Sequence, residues 1–449
     1  MGRDKSLSKG SVGSASMSSM PTESSLPMVE AYAAEASGSD VDRTTNIQSG
    51  GGGISINVNI NSGKPDSFAG GGGFGGAAAM NVTQTKDGEI VEVARSPTHK
   101  KRRGNKIVRE HVEMEYSVPG GVDEKAMRAY LTENQWPPGL QTALVDTCKK
   151  MPVRFFITDD SGSMLTNDGH RIVGAGDKKK LIACTRWSEL VSSLKFHATL
   201  AHKAHAPSEF RLLNNAEPVL VGMPGDDEAL ELIMDVFNDG PGGQTPICAQ
   251  IHEVVKKIKS IDDQLRANNQ RAAVIIATDG ISTDGDVADA MRPLQDLAVW
   301  VVVRLCTDDD EVIEYWNNID SELELEMDVL DDVEGEAKEV RAVNDWLYYG
   351  EPLHRLREFG AAIKEMDLID EDALSSEQMS VIVSHLCCGA KRLPHPDEDW
   401  GVFMDTVKKG LKEHKLTWDP IERQPQPWVN VKLLEKHYGP PQSSACVLS

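Results

Sequence analysis

The stretch VRFFITDDSGSM, Val153 to Met164, decides the fold. Val153 to Thr158 is an apolar run broken only by Arg154, the composition of a strand buried on both faces of a parallel sheet. The run stops abruptly at Asp159 and gives way to carboxylates and hydroxyls. Two further apolar runs, Ala272 to Ala277 and Val299 to Leu305, repeat the strand pattern. Between them and the first run, Ile251, Val254, Val255, Ile258, Ile261 and Leu265 form a helical stripe. Spacing also predicts helices over Leu181 to Leu200, Glu228 to Phe237 and Ala288 to Leu297, and short strands at Arg211 to Leu213 and Val219 to Val221. Alternation of this kind predicts an α/β fold, a doubly wound, mostly parallel sheet flanked by helices, of Rossmann-like build. In such sheets the binding site forms in loops at the carboxyl ends of the strands.

Those loops carry oxygen ligands. Asp159, Ser161 and Ser163 follow the first strand, Thr245 lies in the Gly-rich turn GPGGQTPI before the helical stripe, and Asp279 follows Ala272 to Thr278. Hydroxyl and carboxylate oxygens suit a hard divalent ion such as Mg²⁺, whose octahedron a protein rarely fills alone. Ser161 and Ser163, two residues apart in an extended loop, can point the same way and coordinate directly. Asp159 and Asp279 supply two negative charges, directly or through water. Taken singly, such residues are ordinary helix caps and turn formers; the order and placement of all three pieces favour a metal site.

The pattern D-x-S-x-S, followed by a later Thr and a later Asp, resembles the metal-ion-dependent adhesion site of von Willebrand factor A (vWA) domains. The resemblance spans about Pro152 to Val343 and matches all five motif positions. It implies Mg²⁺, or Mn²⁺ or Ca²⁺, with the coordination completed by an Asp or Glu carboxylate from a protein ligand. A rival is a phosphohydrolase of the haloacid dehalogenase type, but such enzymes place a second Asp two residues after the first, where this chain has Ser161, which has no pKa suited to proton transfer near neutrality. No G-x-S-x-G elbow or phosphate loop occurs. A third reading is a scaffold in which the metal site is vestigial. His197, His202 and His205 fit the end of a helix better than a zinc site, and His385, Cys387 and Cys388 lack metal-ligand spacing.

Composition divides the rest. Residues 1–106 are rich in Gly, Ser, Asn and Ala and read as a disordered tail, with one alternating segment at Ile54 to Ile60. Lys100 to Arg103 (KKRR) is a weak nuclear signal within it. A lead-in over 107–150 is expected to hold a strand near Val112 to Val118 and a helix over Glu124 to Glu133. The vWA-like domain is then placed at 151–345, a small helical extension at 346–438 and a flexible tail at 439–449. Asp308 to Glu339 reads as an exposed acidic flank, and Asp367 to Glu377 lacks the central Gly of a calcium loop.

The formal charge of −23 excludes a general nucleic-acid binder. Seven scattered cysteines with no CxxC pair fit a reducing, cytoplasmic setting, and no run reaches the roughly 18 apolar residues that span a bilayer. The chain ends Cys446-Val447-Leu448-Ser449, the form of a CaaX box. A farnesyl group on Cys446 would give marginal, reversible attachment to a cytoplasmic membrane face. The expected function is metal-dependent protein binding without catalysis.

Overall fold

The computed structural model describes residues 121–174, 178–214, 217–361, 363–389, 393–414 and 416–440. Ahead of them it describes the backbone of four short strands, Arg43–Gly50, Gly53–Ile60, Val82–Gln84 and Ile90–Glu92, the second of which contains the alternating Ile54 to Ile60 segment. The chain divides into two units, Met1–Gln48 with Ile56–Ala79 and Ser49–Ser55 with Met80–Ser449. Residues 121–440 belong to the second. The rest of the expected tail, KKRR, the strand expected at Val112 to Val118 and the Cys446 terminus lie outside the described residues.

In chain order come α1 (Glu124–Glu133), α2 (Pro138–Lys150), β1 (Val153–Thr158), β2 (Gly169–Val173), β3 (Lys180–Cys184), α3 (Arg186–Ala204), β4 (Ser208–Leu212), β5 (Val219–Val221) and α4 (Asp227–Val236). After these come α5 (Ile247–Ala267), β6 (Ala272–Thr278), α6 (Val287–Met291), β7 (Val299–Leu305), α7 (Asp310–Glu322), β8 (Met327–Leu330) and α8 (Val333–Val343). The last elements are α9 (Glu351–Glu358), α10 (Lys364–Asp367), α11 (Ser376–Cys387), α12 (Trp400–Glu413), β9 (Thr417–Asp419), β10 (Gln424–Gln426) and α13 (Val431–Tyr438).

The main sheet has six strands in the order β8-β7-β6-β1-β4-β5. All pairs are parallel except the edge pair β4–β5. From β1 the chain winds outward to β4 and β5, then returns to lay β6 on the other side of β1. The strand order therefore reverses between β1 and β6, the place where open α/β sheets form their crevice.

Side chains alternate across the strands, so each apolar run feeds two cores. Val153, Phe155, Ile157, Val274, Ile276, Val301 and Val303 pack on one face with the buried stripe of α5 and with Trp316 of α7. Phe156, Ile275 and Val302 pack on the other with Leu190 and Leu194 of α3 and with Leu353 and Leu356 of α9. Residues expected as a C-terminal extension thus lie directly on the sheet. Among the described residues no helix is long and apolar enough to cross a membrane.

Two helix expectations are corrected. The Leu181 to Leu200 stripe conceals a break: Lys180–Cys184 is a strand, antiparallel to Gly169–Val173. The helix starts only at Arg186, where Thr185 is extended and its hydroxyl accepts from the Ser188 amide. At Ala288 to Leu297 the helix is short, and a 3₁₀ turn takes over at Arg292–Asp296 with Pro293 in its first turn. The acidic stretch is not uniformly exposed either, since Asp328 and Glu336 are buried.

On the α9 face the sheet buries charge. Glu358, the last residue of α9, accepts from Ser193 (2.7 Å), Arg355 (2.9 Å) and Arg304 of β7 (3.2 Å), and its Oε2 lies 3.1 Å from His197 Nε2. Arg304 also pairs with Glu189 of α3. Burial alone would push the Glu358 carboxyl up, but Arg355, His354 and His197 hold it well below the ordinary carboxylate range. His197 is therefore a structural histidine, stacked between Phe156 and Phe359.

Replacing Glu358 with Gln keeps the shape but strands Arg304 and Arg355 without their shared carboxylate, and urea unfolding at pH 7 should register a loss of about 3–5 kcal/mol. Because the folded carboxyl titrates below its unfolded counterpart, its contribution is complete above about pH 4.3 and disappears as the pH falls through the folded value. The gap between wild type and Glu358→Gln should close in acid.

Candidate metal centre

At the β1/β6 reversal the two strands run in register, Ala277 opposite Thr158, and the Asp159 amide donates to the Ala277 carbonyl at 2.8 Å. That pairing sets Asp159 and Asp279 at the same edge, one residue beyond each strand. Both are buried.

A chain of hydrogen bonds links four of the five expected ligands. Ser161 Oγ and Ser163 Oγ are 2.9 Å apart, and Ser163 Oγ donates to Asp279 Oδ1 at 2.8 Å. The Ser161 amide donates to Asp159 Oδ1 at 2.8 Å, and Thr278 Oγ1 donates to Asp159 Oδ2 at 2.7 Å. Asp159 is thus gripped at both oxygens by its own loop and by the end of the neighbouring strand. Ser161 and Met164 are buried within this turn, whereas Ser163 is exposed.

Thr245, the fifth, is not part of this hydrogen-bond chain, and its backbone pairs with Thr283 instead. Its amide donates to Thr283 Oγ1 (3.2 Å) and its carbonyl accepts from the Thr283 amide (2.9 Å). The Gly-rich turn meets the first loop through Gly162 N to Gly243 O (3.3 Å) and Gly242 N to Asp160 O (2.7 Å). Gly243 has φ +112°, and a Cβ there would lie 2.5 Å from Asn214 Oδ1, so the turn requires glycine. Asn214 in turn donates from its amide and its side chain to Asp160 Oδ1, and from Nδ2 to the Gln244 carbonyl at 2.7 Å. Asp284 fixes the start of α5 by accepting from the Cys248 and Ala249 amides.

The donor set fits a hard divalent cation. Each of the five expected ligands offers only side-chain oxygen, and Ser163 directs its proton at Asp279, leaving a hydroxyl lone pair for an ion. Burial pushes the Asp159 carboxyl up; the hydrogen bonds from Thr278 and Ser161 counter this, and the charge of Asp279 adds to it. Two desolvated carboxylates side by side are an arrangement that a divalent charge relieves.

Asp160, Asn214 and Thr278 are contributors that pattern reading missed. Thr278 had a visible signal, because both inner strands end in Thr-Asp, at Thr158-Asp159 and Thr278-Asp279. Arg186 had none. The first residue of α3, it donates from Nη1 to Asp279 Oδ2 at 2.9 Å and from Nε and Nη2 to both oxygens of Asp168, at 2.7 and 2.6 Å. One oxygen of Asp279 is therefore already paired with a guanidinium.

No family model matches the chain, and no curated protein matches it.

Like charges at the same carboxylate repel, so Arg186→Gln should tighten Mg²⁺ binding by about tenfold, the effect of a unit charge a few ångströms away at the partly screened edge of a protein. Calorimetric titration of both proteins reads this directly. Equal affinities would mean that Arg186 lies outside the field of the ion.

Proposed function

We propose that this chain is a vWA-class interaction protein whose centre holds Mg²⁺, or Mn²⁺ or Ca²⁺, and uses it to capture a carboxylate of a protein partner. The observation that carries the reading is the continuous Ser161–Ser163–Asp279 hydrogen-bond chain at the β1/β6 reversal, with Asp159 held beside it. In this arrangement Ser161, Ser163 and Thr245 are the direct or near-direct ligands. Asp159 and Asp279 balance the charge, at the ion or through water. Two protein carboxylates neutralise a divalent ion, so a third from the partner is still attracted.

Two exposed aliphatic side chains flank the centre in sequence. Leu165 follows Ser163 by two residues and Ile281 follows Asp279 by two. Phosphohydrolase chemistry is the weaker reading: Asp160, the only other carboxylate in the Asp159–Met164 turn, is turned toward Asn214. Cys446 farnesylation, which would tether the module to a cytoplasmic membrane face, is part of the same proposal.

Titration of Mg²⁺ and Mn²⁺ into the full chain, with and without a synthetic peptide bearing one Glu, tests the centre. Saturable binding that the peptide strengthens, and that Asp159→Ala abolishes with an unchanged circular dichroism spectrum, is the expected result. Wild-type protein that takes up no ion even with the peptide, or a variant that binds as well as wild type, removes the metal from the mechanism. For the anchor, incubation with farnesyl transferase and farnesyl diphosphate should add one lipid to the wild type and none to Cys446→Ser, as read by intact-mass spectrometry.

A further inference from the structure

A second group of acidic side chains lies away from the ligands described above. Glu336 and Glu339 stand one turn apart on α8, and Asp370 comes from the segment after α10. One carboxylate oxygen from each lies within 4.8 Å of the other two. Glu336 is buried, the Asp370 side chain is 9% exposed, and Glu339 opens to solvent.

A single guanidinium, Arg357 of α9, serves the buried side of this group. It donates to Asp328 of β8 through Nη2 (2.9 Å) and Nε (3.2 Å), to Glu336 Oε2 (2.5 Å) and to Asp370 Oδ2 (2.8 Å). Glu336 Oε1 is also satisfied, by the Asp331 amide at 2.9 Å. Asp370 Oδ1 is not: it is buried and has no hydrogen-bond partner. An unsatisfied buried oxygen of a charged group is expensive to keep, and each such case in a folded protein calls for a ligand or another cause.

The charge balance points the same way. Asp328, Glu336, Glu339 and Asp370 are four carboxylates against one arginine. Negative charge is in excess around the orphan oxygen.

We propose that Glu336, Glu339 and Asp370 form a second divalent-cation site, of calcium type, with Arg357 as its fixed internal counter-charge. The carboxylates come from two elements and one of them faces solvent, an irregular set that suits the flexible shell of calcium better than the near-ideal octahedron that magnesium demands. Three protein oxygens from two elements, one of them solvent-facing, leave room for the waters that complete a flexible calcium shell. The ion would tie α8 to the segment after α10. Sequence reading passed over it because its ligands come from two separate stretches, neither of which has the form of a calcium loop.

The test uses the full chain carrying Asp159→Ala, which disables the first centre and leaves the second intact. Calcium titrated into this protein should show saturable binding and a rise in melting temperature, with magnesium markedly weaker. Adding Glu339→Gln, a change at the solvent-facing side that leaves the core untouched, should weaken calcium binding by about tenfold or more and remove the thermal shift. Asp370→Asn should do the same. The proposal fails if the Asp159→Ala chain binds no calcium, if Glu339→Gln binds as tightly as its parent, or if magnesium binds equally well. Because the first centre is absent throughout, these outcomes are independent of its fate.

Discussion

The parallel pairing of β1 with β6 is the constraint on which the rest depends. Its register, with Thr158 opposite Ala277, brings to one point two aspartates separated by more than a hundred residues of chain. A slip by one residue would send every side chain of the strand to the opposite core, where the packing is shaped for a different residue, and would pull the two carboxylates out of line. The apolar alternation that fills those cores therefore also positions the carboxylates. Packing and site geometry are here a single requirement.

The strands and the polar loops that end them were legible because their signals are local. A run such as Ala272 to Thr278 reads as a strand buried on both faces, and the residues just after it must then emerge at a sheet edge. The β2–β3 hairpin was hidden for a local reason too: Leu181 and Cys184 happen to extend the helical spacing of Trp187, Leu190 and Leu194 backward across Thr185. Nothing local distinguishes a few residues of strand from one helical turn in so short a piece.

The charged groups were illegible for a different reason. Arg304 sits in an apolar run and Glu358 ends a helix, and neither position says that they meet. Glu336 read as part of an exposed acidic flank because its neighbours in sequence are acidic; its neighbours in space include Arg357, which lies beyond the next loop. Arg186 belongs with these. Its pairing with Asp279 exists only once α3 has docked across the carboxyl edge of the sheet.

Helix α3 joins these two worlds. Its first residue holds Asp279, while Glu189, Ser193 and His197 farther along fasten it to Arg304 and Glu358 in the interior. A rod clamped at three successive turns cannot slide along its axis without breaking a buried ionic cluster, which is among the most expensive disruptions a fold can suffer. An ion of the kind proposed beside Asp279 would therefore have to share that carboxylate with Arg186, whose other nitrogens stay on Asp168. Whatever happens at the Asp279 edge, the scaffold behind it is fixed in place.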